Sequence, residues 1–315
     1  MMRRLMLGLV LLAFIAAPAV LYPVLLMKVL CFAIFASAFN LLLGYTGLLS
    51  FGHAAFFGSA AYVAGYLIRD MTWPVWAALL VSTLAAVLMG GIVGLLAIRR
   101  QGIYFAMITL AMAQMVYFIC LQLPQTGGED GLQGVPRETL AGLDLSNDLT
   151  LYYVILVFSV LAFALIYRTI HSPFGQVLKA IRENEPRAIS LGYDVARYKL
   201  LAFVLSTGLA GLAGALKMLV FKFASLTDAH WHMSGEVVLM TILGGIGTVL
   251  GPIVGSSIIV VLEDQLADKV GSLVTVIMGG IFVVCVLLFR RGIVGEAAAF
   301  YQRMLGHRKL PKELI

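Results

Sequence analysis

Six long stretches of this chain contain no Asp, Glu, Lys or Arg: residues 5–27, 29–68, 74–98, 103–123, 237–262 and 270–289. No other feature restricts the fold as strongly. An α-helix needs about 20 predominantly apolar residues to cross the hydrocarbon core of a bilayer, and each of these runs reaches that length. Lipid offers backbone N–H and C=O groups no partners, so only helices and closed barrels span it. A spanning barrel would read as short segments of alternating polarity, and this chain has none. The sequence therefore predicts an all-α polytopic membrane protein, one transmembrane domain over 1–315. Charged residues make up 12% of the chain, against about 25% in a soluble domain.

The net charge of +6 collects at the ends of the apolar runs and in loops. Membrane topology accounts for that placement, so it implies no nucleic-acid partner. Cys31, Cys120 and Cys285 lie inside apolar runs without CxxC spacing. They read as small packing residues, with no disulfide framework and no metal site.

Lys/Arg placement predicts orientation, because cytoplasmic loops carry the excess. Arg3, Arg4, Arg99, Arg100, the 171–199 segment, Arg290, Arg291 and the tail with Arg303, Arg308, Lys309 and Lys312 are expected inside, and both termini with them. The loop over 124–149 sets Arg137 against Glu129, Asp130, Glu138, Asp144 and Asp148, and is expected on the periplasmic side. Spans are then expected at about 5–22, 24–43, 46–68, 74–98, 103–123, 150–168, 200–221 and 270–289. The N-terminus also resembles a signal peptide, with Arg3 and Arg4 before an apolar run and Ala17-Pro18-Ala19 after it. A first transmembrane helix is the preferred reading, because the apolar run continues past Ala19.

Returning Arg290 to the inside requires an odd number of crossings after 200–221. The run TILGGIGTVLGPIVG, residues 241–255, supplies it. Gly244, Gly245, Gly247, Gly251 and Pro252 break a helix, so 237–262 is expected as two short segments. That makes about ten membrane segments. NLLLGYTGLLSFGHAAFFG, residues 40–58, is its counterpart, punctuated by Gly44, Gly47 and Gly52. Non-helical backbone at membrane depth requires protein or a water-filled cavity around it. Broken or re-entrant helices in corresponding halves point to inverted repeats with a pathway at the midplane. Gly90-x-x-x-Gly94 and Gly208, Gly211 and Gly214 fit close helix packing.

The chain carries no engine of its own. It has no GxxxxGK[ST] phosphate loop, no HExxH pair and no GxSxG elbow. Paired carboxylates inside the spans, the mark of proton-driven transport, are also missing; Glu263, Asp264 and Asp268 read as a solvated outer edge. The polar segment 171–199 is where an external engine would attach. Lys179, Arg182, Arg187, Arg197 and Lys199 stand there against Glu183, Glu185 and Asp194. Ser172-Pro173 starts a helix or turn. Residues 176–183 have helical spacing, with Val177, Ala180 and Ile181 on one face. Residues 187–191 offer a second short helix, stopped by Gly192. Such a helix pair suits docking into a groove of a soluble partner, and an ordinary solvated loop is the competing reading.

SPFGQVLKAIRENEPRAISLGYDVARYKLLAFVLSTGLAGLAGAL resembles the coupling segment of the permeases of ATP-binding-cassette importers. It is most similar to the branched-chain amino-acid family, of the high-affinity leucine–isoleucine–valine type and its M subunit. GYTGLLSFGHAAFFGSAAYVAGY, TGGEDGLQGVP and GEVVLMTILGGIGTVLGPIVG also match that family, so the resemblance runs from about residue 40 to 290. The importer pattern of Glu, Ala and Gly falls on Glu185, Ala188 and Gly192. Pro186 departs from it, standing where Ala is common.

The resemblance implies the importer permease fold and no enzymatic activity in this chain. It implies a homologous second permease, two cytoplasmic ATPases that bind ATP and Mg, and a periplasmic substrate-binding protein, in the inner membrane of a bacterium. This chain would bind no cofactor itself. Arg182, Glu183, Glu185, Arg187, Ala188 and Gly192 become the expected ATPase-coupling residues. Asn40, Ser50, His53 and Gln114, polar and inside spans, are candidates for the translocation pathway, with a packing role for His53 as the competing reading. The α-helix after Ser50 could present its N-terminal amides to a passing carboxylate. Gly127, Gly128, Asp130 and Gly131 shape either a binding-protein dock or a tight turn. The substrate expected is a hydrophobic amino acid, with urea, a short amide or another small carboxylate as the alternative. An ion-driven secondary transporter and an intramembrane enzyme are the readings from other classes; His53 has no partner for the latter by spacing.

Overall fold

The structure, a computed structural model, describes residues 14–19, 21–137, 139–140, 142–288 and 292–296. The expected first span and the basic residues at both ends lie largely outside that set. The helices are α1 (Pro23–Thr46), α2 (His53–Arg69), α3 (Val75–Ala97), α4 (Ile103–Gln122), α5 (Asp148–His171), α6 (Pro173–Glu183), α7 (Glu185–Ser190), α8 (Val195–Phe221), α9 (Leu226–Ala229), α10 (Trp231–Gly244), α11 (Gly251–Val270) and α12 (Val274–Leu288). A two-residue hairpin, β1 (Thr139–Leu140) with β2 (Leu143–Asp144), lies before α5.

The chain is an all-α polytopic membrane protein. Among the described residues, five helices (α1, α3, α4, α5 and α8) are long and apolar enough to cross a membrane. The run expected to cross at 46–68 is shorter: residues 47–52 are not helical and α2 has 17 residues. α10 has 14 residues and α12 has 15, both below the roughly 20 of a full crossing.

α1 and α8 form the centre. Both are buried on nearly all sides and pack on each other, with α2 and α3 against α8 and α11 and α5 against α1. α3 shows the outward face of the bundle. Leu80, Leu84, Leu88, Ile92 and Leu95 repeat every three or four residues and are all exposed. An apolar stripe turned outward fits lipid, the reverse of a soluble helix.

Close approach of α8 depends on small residues, as its spacing predicts. A methyl at Gly214 would lie 1.9 Å from the backbone oxygen of Phe57 on α2. Gly90 faces Thr207, and Gly208 faces Val87, across the α3–α8 contact.

The loop before α5 is anchored on the chain that follows α8. Leu132 and Ala224 exchange backbone hydrogen bonds, and Val135 N–H donates to Lys222 O. Arg137 then caps α8. Its Nε and Nη2 donate to Leu219 O and Val220 O at 3.0 and 2.6 Å, and its Nη1 pairs with Asp148 at 2.6 Å. Those carbonyls have no partner within the helix end. Gly127 and Gly131 build a tight turn, with φ of 78° and 70°.

The polar segment folds as two short capped helices. The Ser172 hydroxyl accepts from Gly175 N–H to start α6, the Asn184 carbonyl accepts from Arg187 N–H to start α7, and Asp194 accepts from Arg197 N–H to start α8. Ile181, Ala188 and Val195 form a small core with Val177 and Tyr198. One expectation fails here. Ala180 is exposed, and Leu178 is fully buried in its place. α6 packs on α1, α5 and α8, so its buried face is the Gly175–Leu178–Ile181 line. A reading of α6 as a free cytoplasmic helix had no way to include those neighbours.

Candidate translocation site

The two glycine-rich breaks meet. α1 ends at Thr46, and Gly47 follows with φ 76°, its N–H bonded to Leu42 O. α10 ends at Gly244, Gly245 caps it, and α11 restarts at Gly251 with Pro252 in its first turn. The broken backbone is therefore residues 47–52 and 245–250. Gly44, expected as a break, lies inside α1, and Gly244, Gly251 and Pro252 are helical ends. Gly44 is small because the second break passes over it: a methyl there would lie 2.7 Å from Gly247 N.

Asn40 ties α1 to the second break. Its Nδ2 donates to Thr248 O at 2.8 Å, and its Oδ1 accepts from Gly247 N–H at 2.8 Å. One side chain thus satisfies a donor and an acceptor of non-helical backbone at depth. Asn40 is buried in this contact.

Arg182 reaches the same place from α6. Its Nη1 donates to Gly44 O. Its stem passes Gly47, where a methyl would lie 3.3 Å from Arg182 Cγ, and its Nη1 would lie 3.2 Å from a methyl on Gly247. Of the expected coupling residues, Arg182 is therefore the one that points back into the bundle.

Glu185 is also held internally. It pairs with Lys199 at 2.8 Å and accepts from Gln101 Nε2 at 2.9 Å, tying α7 to α8 and to the α3–α4 turn. Ala188 is 2% exposed. Gly192 has φ 86° and open space around its Cα, so its role is backbone conformation. Glu183 and Arg187 are exposed. Beside them stand Ile189, Leu191 and Tyr193, 58%, 70% and 40% exposed. None of the three is among the residues expected from the sequence; an apolar side chain inside a strongly charged segment is the signal that marks them.

His53 sits in an aromatic cage. Its ring meets Phe39, Phe56 and Phe203 edge-on at 5.2–6.0 Å and is 0% exposed. Ser206 donates its hydroxyl proton to Ala38 O, so His53 donates to Ser206 through Nε2, at 2.8 Å. The geometry is that of a packed histidine. Ser50 is buried and accepts from Gly52 N–H at 3.2 Å. The first-turn amide of Ala54 donates to Ser234 Oγ at 2.9 Å, and Phe51 N–H to Thr109 Oγ1 at 3.2 Å. The Ala54 amide, one of those expected to attract a carboxylate at the start of α2, is therefore partnered within the protein. Gln114 is half-buried on α4.

A cavity of about 520 Å³ opens at the other end of α1 and α8. Lys28 and Gly44 are sixteen residues apart on α1, or about 24 Å at 1.5 Å per residue. Lys28, Lys217, Asp228, Glu236 and Glu263 line the cavity with Phe32, Phe221, Phe223 and Met233. Lys28 pairs with Glu263 at 3.1 Å, so Glu263 is not the freely solvated edge expected of it. Lys217 pairs with Asp228 beneath the rings of Phe57, Phe221 and Phe223. Neither Lys nor Glu236 was singled out in the sequence. Each is a lone charge at the edge of an apolar run, and its partner lies far away in the chain for the Lys28–Glu263 pair.

The Lys217–Asp228 pair is deeply buried, with side chains 11% and 2% exposed. Removing one partner strands the other charge, which costs about 3–5 kcal/mol, whereas replacing both with apolar groups is often nearly neutral. Asp228→Asn is therefore expected to lower the yield of folded protein sharply, and Lys217→Met in the same chain to restore much of it. Thermal unfolding followed by size-exclusion chromatography reads both.

Comparison with known sequences places this geometry. The family described as "Branched-chain amino acid transport system / permease component" matches residues 23–288. The chain is 28% identical over 279 residues to the high-affinity branched-chain amino acid transport system permease protein LivM of Escherichia coli (strain K12), covering 81% of this chain and 65% of that protein. The corresponding protein of Salmonella typhimurium matches with the same figures. The probable branched-chain amino acid transport permease protein LivH of Methanocaldococcus jannaschii is 28% identical over 120 residues, 38% of this chain and 36% of that protein. The match thus spans just under two thirds of the length of the LivM relatives. No solved structure matches the chain.

Proposed function

Because the chain belongs to the branched-chain amino acid transport system permease-component family, we propose that it forms part of the translocation pathway of an ATP-driven importer for hydrophobic amino acids. The family is one of transport permeases, not of enzymes. The observation that carries the proposal is the Arg182 link from α6 to Gly44 O in the last turn of α1, one helical turn from Asn40, which holds the 245–250 break. A partner that moves α6 pulls on the end of α1, beside both breaks. Coupling needs an element with two arrangements that both sites bias, and a glycine-rich break held to α1 by two hydrogen bonds is such an element.

The proposed assembly has a second, homologous permease beside this one in a bacterial inner membrane, two cytoplasmic ATPases carrying ATP and Mg, and a periplasmic binding protein, with α6 and α7 on the cytoplasmic side. Similarity to permeases of both the LivM and LivH type in one organism supports a paired permease. Five spanning helices, the short α2, α10 and α12, the charged-tipped α11 and the N-terminal apolar run are compatible with about ten membrane segments arranged as inverted repeats. Docking by the ATPases falls to Ile189, Leu191 and Tyr193 with Glu183 and Arg187, while Glu185, Ala188 and Gly192 set the shape that presents them.

Affinity purification of the tagged chain from its native membranes tests the assembly. Two ATPases and a second permease are expected to co-purify. Recovery of the chain alone, with no nucleotide-binding partner at any detergent concentration that preserves its fold, would contradict the reading.

A further inference from the structure

The cavity between α1, α8, α10 and α11 has a charge pattern that a structural role does not use up. Two lysines and two histidines, His230 and His232, face three carboxylates there. Lys217 is committed to Asp228, both nearly inaccessible. Lys28 is held by Glu263 in a looser pair, with side chains 20% and 39% exposed. Glu236 is half-buried in the wall and makes no ion pair or hydrogen bond among the described residues. A carboxylate left over in a partly apolar cavity calls for a cation, because an uncompensated charge away from water is unfavourable. The remaining wall combines Phe32, Phe221, Phe223 and Met233 with Thr227 and two imidazoles. The volume of about 520 Å³ lies within the roughly 300–1,000 Å³ of small-molecule sites.

We propose that this cavity is an entry site for a zwitterionic amino acid with an apolar side chain: Glu236 takes the ammonium, Lys28 takes the carboxylate in exchange for Glu263, and the aromatic wall takes the side chain. The proposal rests on the transport reading above and assigns that reading its residues. Lys28 is the exchangeable cation because its pair is the exposed one. Glu263 released from Lys28 stays in water at the rim, so the exchange strands no charge. The site lies at the end of the bundle away from α6, where a solute handed over from outside arrives first.

The test is leucine uptake by the complete complex in proteoliposomes, with ATP hydrolysis measured on the same samples. Glu236→Gln preserves size and removes the charge. It is expected to lower leucine uptake at least tenfold with ATP hydrolysis unchanged, and Glu236→Asp to recover part of the rate. Lys28→Met is expected to lose uptake by a similar factor. A structural role for Glu236 would move assembly and ATP hydrolysis together with uptake. Wild-type rates in Glu236→Gln or in Lys28→Met would overturn the site while leaving the transport function standing. Absence of leucine uptake by the wild-type complex would overturn both.

Discussion

Arg182→Ala is expected to leave the complex assembled and hydrolysing ATP while uptake falls about tenfold. Arg182 of α6 lies between Gly47 and Gly247, one in each break, and donates to Gly44 O in the last turn of α1. A hydrogen bond from a charged donor contributes about 1.5–3 kcal/mol. Much of Arg182 remains in contact with water, which places it at the lower end, and about 1.4 kcal/mol corresponds to a factor of ten. Arg182→Lys keeps the charge but not the planar fork and is expected to fall between wild type and Arg182→Ala. ATP hydrolysis and uptake measured in parallel give the ratio that separates uncoupling from misfolding. Uptake and hydrolysis falling in proportion would mean that Arg182 serves assembly only.

The second large effect is expected at the surface of α7. Ile189→Asp with Leu191→Asp should abolish co-purification of the ATPases while the permease itself stays folded. Both side chains are mostly exposed, so their replacement removes little from the protein's own core. Buried apolar anchors at an interface contribute about 2 kcal/mol or more each, so two changes should weaken binding by roughly a thousandfold. The comparison variant is Ala188→Asp, which enters the small core of Ile181 and Val195 and should destabilise the segment itself. ATPases retained by the Ile189→Asp, Leu191→Asp chain would place the docking surface elsewhere.

The spans were legible because continuity of apolar residues is a property of the chain alone: α1, α3, α4, α5 and α8 each fall within a few residues of the expected runs. The breaks were legible for a related reason, since Gly47, Gly245 and Gly247 carry the positive φ that other residues resist. The contact between α1 and the second break was not. Asn40 meets Gly247 and Thr248 across more than 200 residues, and a polar residue in a span reads equally well as a pore lining or as glue. The same ambiguity governs His53 and Ser50, whose Nε2 and hydroxyl meet Ser206 and Gly52 inside the protein. Arg182 is expected from the sequence as an ATPase-coupling residue, because nothing local to α6 announces that it packs on α1. Lys28 and Glu236 were overlooked for the converse reason: one charge at the end of an apolar run looks like a membrane boundary until its cavity is seen.

The most direct test of the account is leucine uptake into proteoliposomes holding the purified complex and its binding protein, with ATP inside and with every ion gradient collapsed. Uptake that requires ATP hydrolysis and persists without gradients is the result predicted. Uptake by this chain without ATP, driven by a proton or sodium gradient, would contradict it and make Glu236 and Glu263 part of an ion-coupled cycle.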